Sequence, residues 1–428
     1  MSKFIYKEII PNKLHFISQN GDRESVDIKI TFHAGGSWFE GENDLGKKHL
    51  MEHCIMASNK TMDHDQLKAW EQKNAISMNA FTSPLSMGMT AGGHKDDFKL
   101  IISTLLEMAF LPVFNQGDLD REKEIVLREI SERRGDPNYQ LYFDTQKELY
   151  VPGSFALHET LGDPALVEQT TLEDFYKMHK QNLENSQIIL TISGGEIDSN
   201  WAMETFSNLY KLALEKNRLD LGKISPKVID FQPKSEFQKF TTKTIIHPLA
   251  HQHCDVSIII DCSVTLENSP TRSIFSNLYF QYGGSLYDRL RDEKQLVYGI
   301  STYFDTEIGA LVINLQCEIE MIDQILVEAE DIFSSFQKYF MQERFEDYKN
   351  VVYKKQAMAK DSISTCVSFT KQMLVTYGKL TLYDDYTNIL KTISIDQIQQ
   401  VYDQIQSGWD TKKIIIVSKN KEIEKFSK

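Results

Sequence analysis

Two halves of this chain repeat one plan at a fixed offset of 223 residues, and that duplication limits the folds open to it. Asp65 and Leu67 correspond to Asp288 and Leu290, and Thr171-Leu172-Glu173 corresponds to Ser394-Ile395-Asp396. Each of the last two segments opens a helix that leads into an apolar strand run, Ile188–Ile192 in the first half and Lys413–Val417 in the second. A shared offset together with a shared element order marks a duplicated domain. At 428 residues the chain is also too long for one ordinary core. The expected organisation is a first domain over residues 1–217, a linker over 218–236 and a second domain over 237–428. The linker segment holds two of the ten prolines and many charges.

Local patterns fill in the plan. Leu14–Ser18 leads to Asn20-Gly21, a two-residue hairpin signal, and Val26, Ile28, Ile30 and Phe32 alternate on the expected return strand. A helix follows with Asn43 or Asp44 as its expected N-cap. Helices are expected from His64 to Lys73 and over residues 96–111, 119–134 and 171–181. Strands are expected over residues 77–81 and 86–91. Hairpins rather than strict crossovers favour the α+β class: two homologous two-layer domains, each a mixed, mostly antiparallel sheet with helices packed on it.

Composition excludes several functions. The net charge of −14 argues against nucleic acid and anionic membranes as partners, since both need basic surfaces. Met1–Gln19 has no apolar run of the secretory kind, and no stretch has the 18 apolar residues of a membrane span. The cysteines, Cys54, Cys254, Cys262, Cys317 and Cys366, are scattered and odd in number. They read as thiols of a reducing compartment, and the expected location is cytoplasmic. His247, His251 and His253 near Cys254 read as alternation along a strand edge rather than as a second metal site.

The chemistry lies in His49-Leu50-Met51-Glu52-His53. Two histidines four apart share one helix face, about 5–6 Å from each other at Cβ. That suits two imidazoles closing on one zinc ion, while Glu52 reaches an attacking water without being a ligand. Chance alone would give such a pattern roughly 0.02 times in this composition. The chemistry it implies is metal-assisted hydrolysis with a carboxylate base. Further along, Glu122 and Glu129 are seven apart on a helix that reads from Asp120 to Arg134, so they lie nearly in line on one face.

With 75 residues between His53 and Glu129, the chain resembles the M16 family of zinc peptidases, the family of insulinase, pitrilysin and the processing peptidases. The resemblance implies one zinc ion per chain on His49, His53 and Glu129, with Glu52 as general base and Glu122 as an accessory carboxylate. Asn79-Ala80-Phe81-Thr82 resembles the family's substrate strand, an edge strand that pairs with the peptide backbone. Gly284-Ser285-Leu286-Tyr287 through Arg291 to Tyr298 resembles the signature of the second domain, in which Arg291 and Tyr298 bind the peptide near the scissile bond. Leu161-Gly162 and Thr171–Phe175 also match family segments. Lys48 departs from the small apolar residue usual before the first histidine, and residues 182–185 lack the usual proline-containing turn. The activity implied is that of a zinc-dependent endopeptidase acting on peptides, with a catalytically silent scaffold or partner subunit as the alternative. The expected assembly is a homodimer, or a pairing with a related M16 chain. In it, Arg291 and Tyr298 of one copy complete the zinc site of the other.

Overall fold

The computed structural model describes residues 3–224, 235–262, 264, 268–340 and 342–427. In the first half the order is β1 (Phe4–Ile10), β2 (Leu14–Asn20), β3 (Ser25–His33), α1 (Lys47–Ile55), α2 (His64–Asn74), β4 (Ser77–Thr82), β5 (Ser86–His94), α3 (Phe98–Phe110), α4 (Gln116–Gly135), α5 (Pro137–Leu149), α6 (Leu172–Asn185), β6 (Gln187–Gly194) and α7 (Ser199–Lys216). The second half runs β7 (Thr242–Ile246), β8 (Cys254–Asp261), α8 (Ser269–Tyr279), β9 (Gly299–Asp305), β10 (Ala310–Cys317), α9 (Ile322–Ile332), α10 (Gln342–Ala359), α11 (Ile363–Tyr377), α12 (Ile395–Trp409) and β11 (Lys413–Ser418). The expected α+β class with two related domains holds.

The first sheet has the order β1-β2-β6-β3-β5-β4, and the second β7-β11-β8-β10-β9. Without β1 the two orders are the same pattern. The parallel pair β2–β6 matches β7–β11, and the antiparallel neighbours β3 and β5 match β8 and β10. Even the helix caps repeat. Thr171 forms a capping box with Asp174 at the start of α6, and Ser394 forms one with Gln397 at the start of α12.

The hairpin expected at Asn20-Gly21 is not formed. β6 lies between β2 and β3, and the Gly21 N–H donates to the Gly194 carbonyl at 2.8 Å. Every residue of β6 is buried, so this apolar strand belongs in the middle of a sheet rather than at its margin. In this region a hairpin instead joins β1 to β2.

Two compact units result, and they exchange one helix each. The first comprises Met1–Arg134, His158–Phe231 and Lys360–Thr381, and the second Gly135–Leu157, Gln232–Ala359 and Leu382–Lys428. Thus α5 belongs to the second unit and α11 to the first, whereas the boundaries expected from sequence are continuous. In the first unit α3 and α7 cover one sheet face with a core that includes Phe16, Ile30, Leu105, Phe110 and Phe206. On the other face Val367 of α11 packs with Ile17 and Ile189. In the second unit Leu149 of α5 packs with Ile245, Ile259, Val312 and Ile415. The expected linker lies outside the described residues over 225–234; before them, Leu221–Lys223 forms a short 3-10 turn. Among the described residues no helix is long and apolar enough to cross a membrane.

Candidate metal centre

The site is built on α1 and α4 of the first unit. Helix α1 is short and mostly buried, so its start must be satisfied inside the protein. Neither Asn43 nor Asp44 caps it. Gly46 occupies the N-cap with φ +92°, and the capping carboxylate is that of Glu40. It accepts from the Gly46 N–H at 2.9 Å and from the Lys48 N–H at 2.6 Å. Burial lifts this carboxyl to about 7. A side chain at Gly162 would collide with Gly46 Cα at 2.2 Å, so these two glycine backbones touch where α1 begins. The two departures from the family pattern meet here. Lys48 Nζ donates to the carbonyls of Gly35 and Gly36 at 2.9 and 3.0 Å and to Asn182 Oδ1 at 3.4 Å. These bonds satisfy a buried ammonium and fix α1 against its surroundings.

His49 and His53 stand one turn apart with their rings at 89° and centroids 5.0 Å apart. Both Nε2 atoms point at one oxygen of Glu129 on α4, each 3.7 Å from Oε2. That separation is too long for a hydrogen bond. It matches donors sharing one ion at 2.0–2.2 Å, which sit about 3.3–3.5 Å apart. On the far side of the ring, His53 Nδ1 donates to Glu122 Oε2 at 3.2 Å. This bond sets the tautomer that leaves Nε2 free as a donor toward a metal. Glu122 is itself held by Arg121, whose Nε donates to Oε1 at 3.1 Å while Nη2 reaches Asp118 at 2.9 Å. His49 lacks an equivalent brace: its Nδ1 is buried and has no hydrogen-bond partner among the described residues.

The electrostatics agree with that division of roles. Burial, reinforced by His53, holds His49 down at about 4, so it is neutral and able to ligate. The Glu122 carboxylate pushes His53 up against the opposing effect of burial. Burial pulls Glu122 upward, but hydrogen bonds from His53 and Arg121 keep it below the usual carboxylate range. Burial lifts Glu52 above that range, with neighbouring Thr82 and His53 pulling the other way. A carboxyl so raised is a stronger base than an exposed glutamate. The donor set, two imidazoles and a carboxylate, is of the kind that suits catalytic rather than structural zinc.

The other expected site residues fall as follows. Asn79, Ala80, Phe81 and Thr82 lie in β4, an edge strand of the first sheet. Ala80 points into the core and Asn79 outward. Arg291 and Tyr298 belong to the second unit. Arg291 Nη1 donates to the Val297 carbonyl at 2.6 Å, and the exposed Tyr298 donates its hydroxyl hydrogen to Glu318 Oε1 at 2.5 Å. Arg291 sits in a π-helical turn over Asp288–Glu293. Sequence reasoning missed Glu40 and the Lys48–Asn182 contact. The absence of a capping side chain at Gly46 was the one local sign that a distant carboxylate was needed.

Comparison with known proteins extends this picture. Residues 15–147 match the model described as Insulinase (Peptidase family M16), and residues 169–352 match that described as Peptidase M16 inactive domain. The chain is 22% identical over 181 residues to the Non-peptidase homolog YmxG of Helicobacter pylori, covering 42% of this chain and 41% of that one. It is 21% identical over 187 residues to the Mitochondrial-processing peptidase subunit beta of Rattus norvegicus, covering 44% of this chain and 38% of that one. The alignments thus span about two fifths of these relatives' lengths. Two solved structures share the fold at 15% identity and a TM-score of 0.73. They are a peptidase M16 inactive domain from Pseudomonas fluorescens, with 98% of each chain covered, and a protease from Helicobacter pylori, with 98% of this chain and 99% of that one covered. Matched by two M16 family models that together span most of its length, the chain belongs to the M16 family.

Proposed function

We propose that this chain is a zinc-dependent endopeptidase that cleaves peptides held as an added strand. The observation that carries the proposal is the convergence of His49 Nε2 and His53 Nε2 on Glu129 Oε2, with a half-buried Glu52 one residue from His53. When bound there, zinc would supply Lewis acidity, polarising the scissile carbonyl and acidifying the attacking water. Glu52 takes the proton of that water and returns it to the leaving amine. Glu122 holds the His53 ring and its tautomer through the turnover. An extended peptide pairs with the free edge of β4, so main-chain hydrogen bonds give affinity and side-chain pockets give preference. Arg291 and Tyr298 orient the peptide and support the developing oxyanion.

A second reading, a catalytically silent scaffold, draws support from the non-peptidase relative. One experiment separates the two. The purified chain should cleave a mixed peptide library, stop after chelation and recover with zinc alone. Absence of any cleavage by the zinc-loaded chain would favour the scaffold, and cleavage that survives complete metal removal would refute the zinc mechanism.

The proposed assembly is a homodimer in which Arg291 and Tyr298 of one copy serve the zinc centre of the other. Mixing a Glu52→Gln chain with an Arg291→Ala/Tyr298→Phe chain should then restore part of the activity. No recovery despite proven subunit exchange would rule that assembly out.

A further inference from the structure

The second unit holds a cluster of metal-competent side chains that the proposed hydrolysis does not use. His251 and His253 lie in the bend just before β8, and Asp255 is the second residue of that strand. The histidines are expected from sequence to alternate along a strand edge, yet Asp255, two residues beyond His253, stands with them. One ligand atom from each of the three lies within 4.8 Å of the others. The two imidazoles stack with centroids 4.7 Å apart and 9° between their planes.

The backbone beneath the cluster is held by β11 and the residue after it. Ser418 Oγ donates to the carbonyls of His251 and Gln252 at 3.3 and 3.1 Å, and the Lys419 N–H donates to the His251 carbonyl at 3.0 Å. Gln316 on β10 donates its Nε2 to Asp255 Oδ1 at 2.9 Å, which orients the carboxylate. The decisive atom is His253 Nε2, which is enclosed and has no hydrogen-bond partner among the described residues. An enclosed ring nitrogen is costly without a partner. The His253 ring also meets the Tyr298 ring edge-on, centroids 5.9 Å apart, so the cluster borders the tyrosine expected to handle peptide.

We propose that His251, His253 and Asp255 form a second site for a divalent transition-metal ion, independent of His49, His53 and Glu129. Imidazole with carboxylate suits zinc and its first-row neighbours, and three protein donors leave a position open to solvent or a ligand. Donors of one zinc ion stand about 3.3–3.5 Å apart, so from separations within 4.8 Å the site must close by at most about 1.5 Å.

The test is metal binding, which does not depend on peptidase activity. The full chain is stripped with chelator and titrated with zinc alone, and bound metal is counted by calorimetry and by elemental analysis after dialysis. The parent should bind two ions. His251→Gln/His253→Gln should bind one, His49→Ala/His53→Ala should also bind one, and the fourfold variant none. Asp255→Asn leaves the histidine rings and their packing intact and should weaken one of the two ions at least tenfold, with folding checked by circular dichroism. A parent that binds one ion, lost in His49→Ala/His53→Ala, overturns the second site. So does a second ion that persists at unchanged affinity in His251→Gln/His253→Gln or in Asp255→Asn.

Discussion

The two units share a strand order and a helix plan, yet three of the five positions that form the candidate metal centre in one are buried apolar residues in the other. At the offset of 223, His49 corresponds to Arg272, Glu52 to Phe275, His53 to Ser276, Glu122 to Phe345 and Glu129 to Val352. α1 and α8 occupy the same place in the plan, as do α4 and α10. Phe275, Phe345 and Val352 are all buried, and Phe275 stacks on Tyr279 with centroids 4.5 Å apart. The fold therefore has no need of a polar cluster between these two helices. Burying carboxylates and imidazoles is unfavourable unless they are paired, and apolar residues of similar size commonly stabilise a protein more. The first unit instead places polar residues there, and His49, His53 and Glu129 converge on one point. That is the pattern of a site kept for chemistry rather than for packing.

The contrast can be broken by exchanging the roles. Phe275→Ala should destabilise the protein by about 3–5 kcal/mol through the cavity it leaves. Glu52→Leu, the corresponding position in the first unit, should leave stability unchanged or raise it by up to about 1 kcal/mol while abolishing turnover. Denaturant unfolding of both variants checks this. Equal destabilisation by the two would show that Glu52 is a structural residue. A smaller effect sharpens the same comparison. Glu122→Gln keeps shape but weakens the grip on His53, so zinc affinity should fall about 10–100-fold, read by competition with a chromogenic chelator. Unchanged affinity would mean that the His53–Glu122 bond does not tune the centre.

The duplication and the clustering of His49, His53 and Glu129 were both legible in the sequence because each rests on local spacing. Thr171 and Ser394 open equivalent helices with equivalent caps, and the four-residue and seven-residue spacings put His49 with His53 and Glu122 with Glu129 on single helix faces. What escaped was non-local. Asn20-Gly21 is a turn sequence, and nothing within a few residues of it announces that β6, far along the chain, will enter between β2 and β3. The exchange of α5 and α11 was equally hidden. An amphipathic helix encodes that it has a buried face but not which sheet that face meets. Glu40 was missed for the same reason, since it caps α1 across a loop rather than from the adjoining residue.

The most direct test of the hydrolytic centre is Glu52→Gln, with bound zinc and peptide turnover measured on the same preparation. Glutamine keeps the size of the side chain and removes the base, while His49, His53 and Glu129 are untouched. The expected result is one zinc ion still at this centre and turnover reduced on the order of 10²-fold or more. Near-normal turnover at full zinc occupancy would contradict it, because a centre that works without the Glu52 carboxylate does not take its proton there.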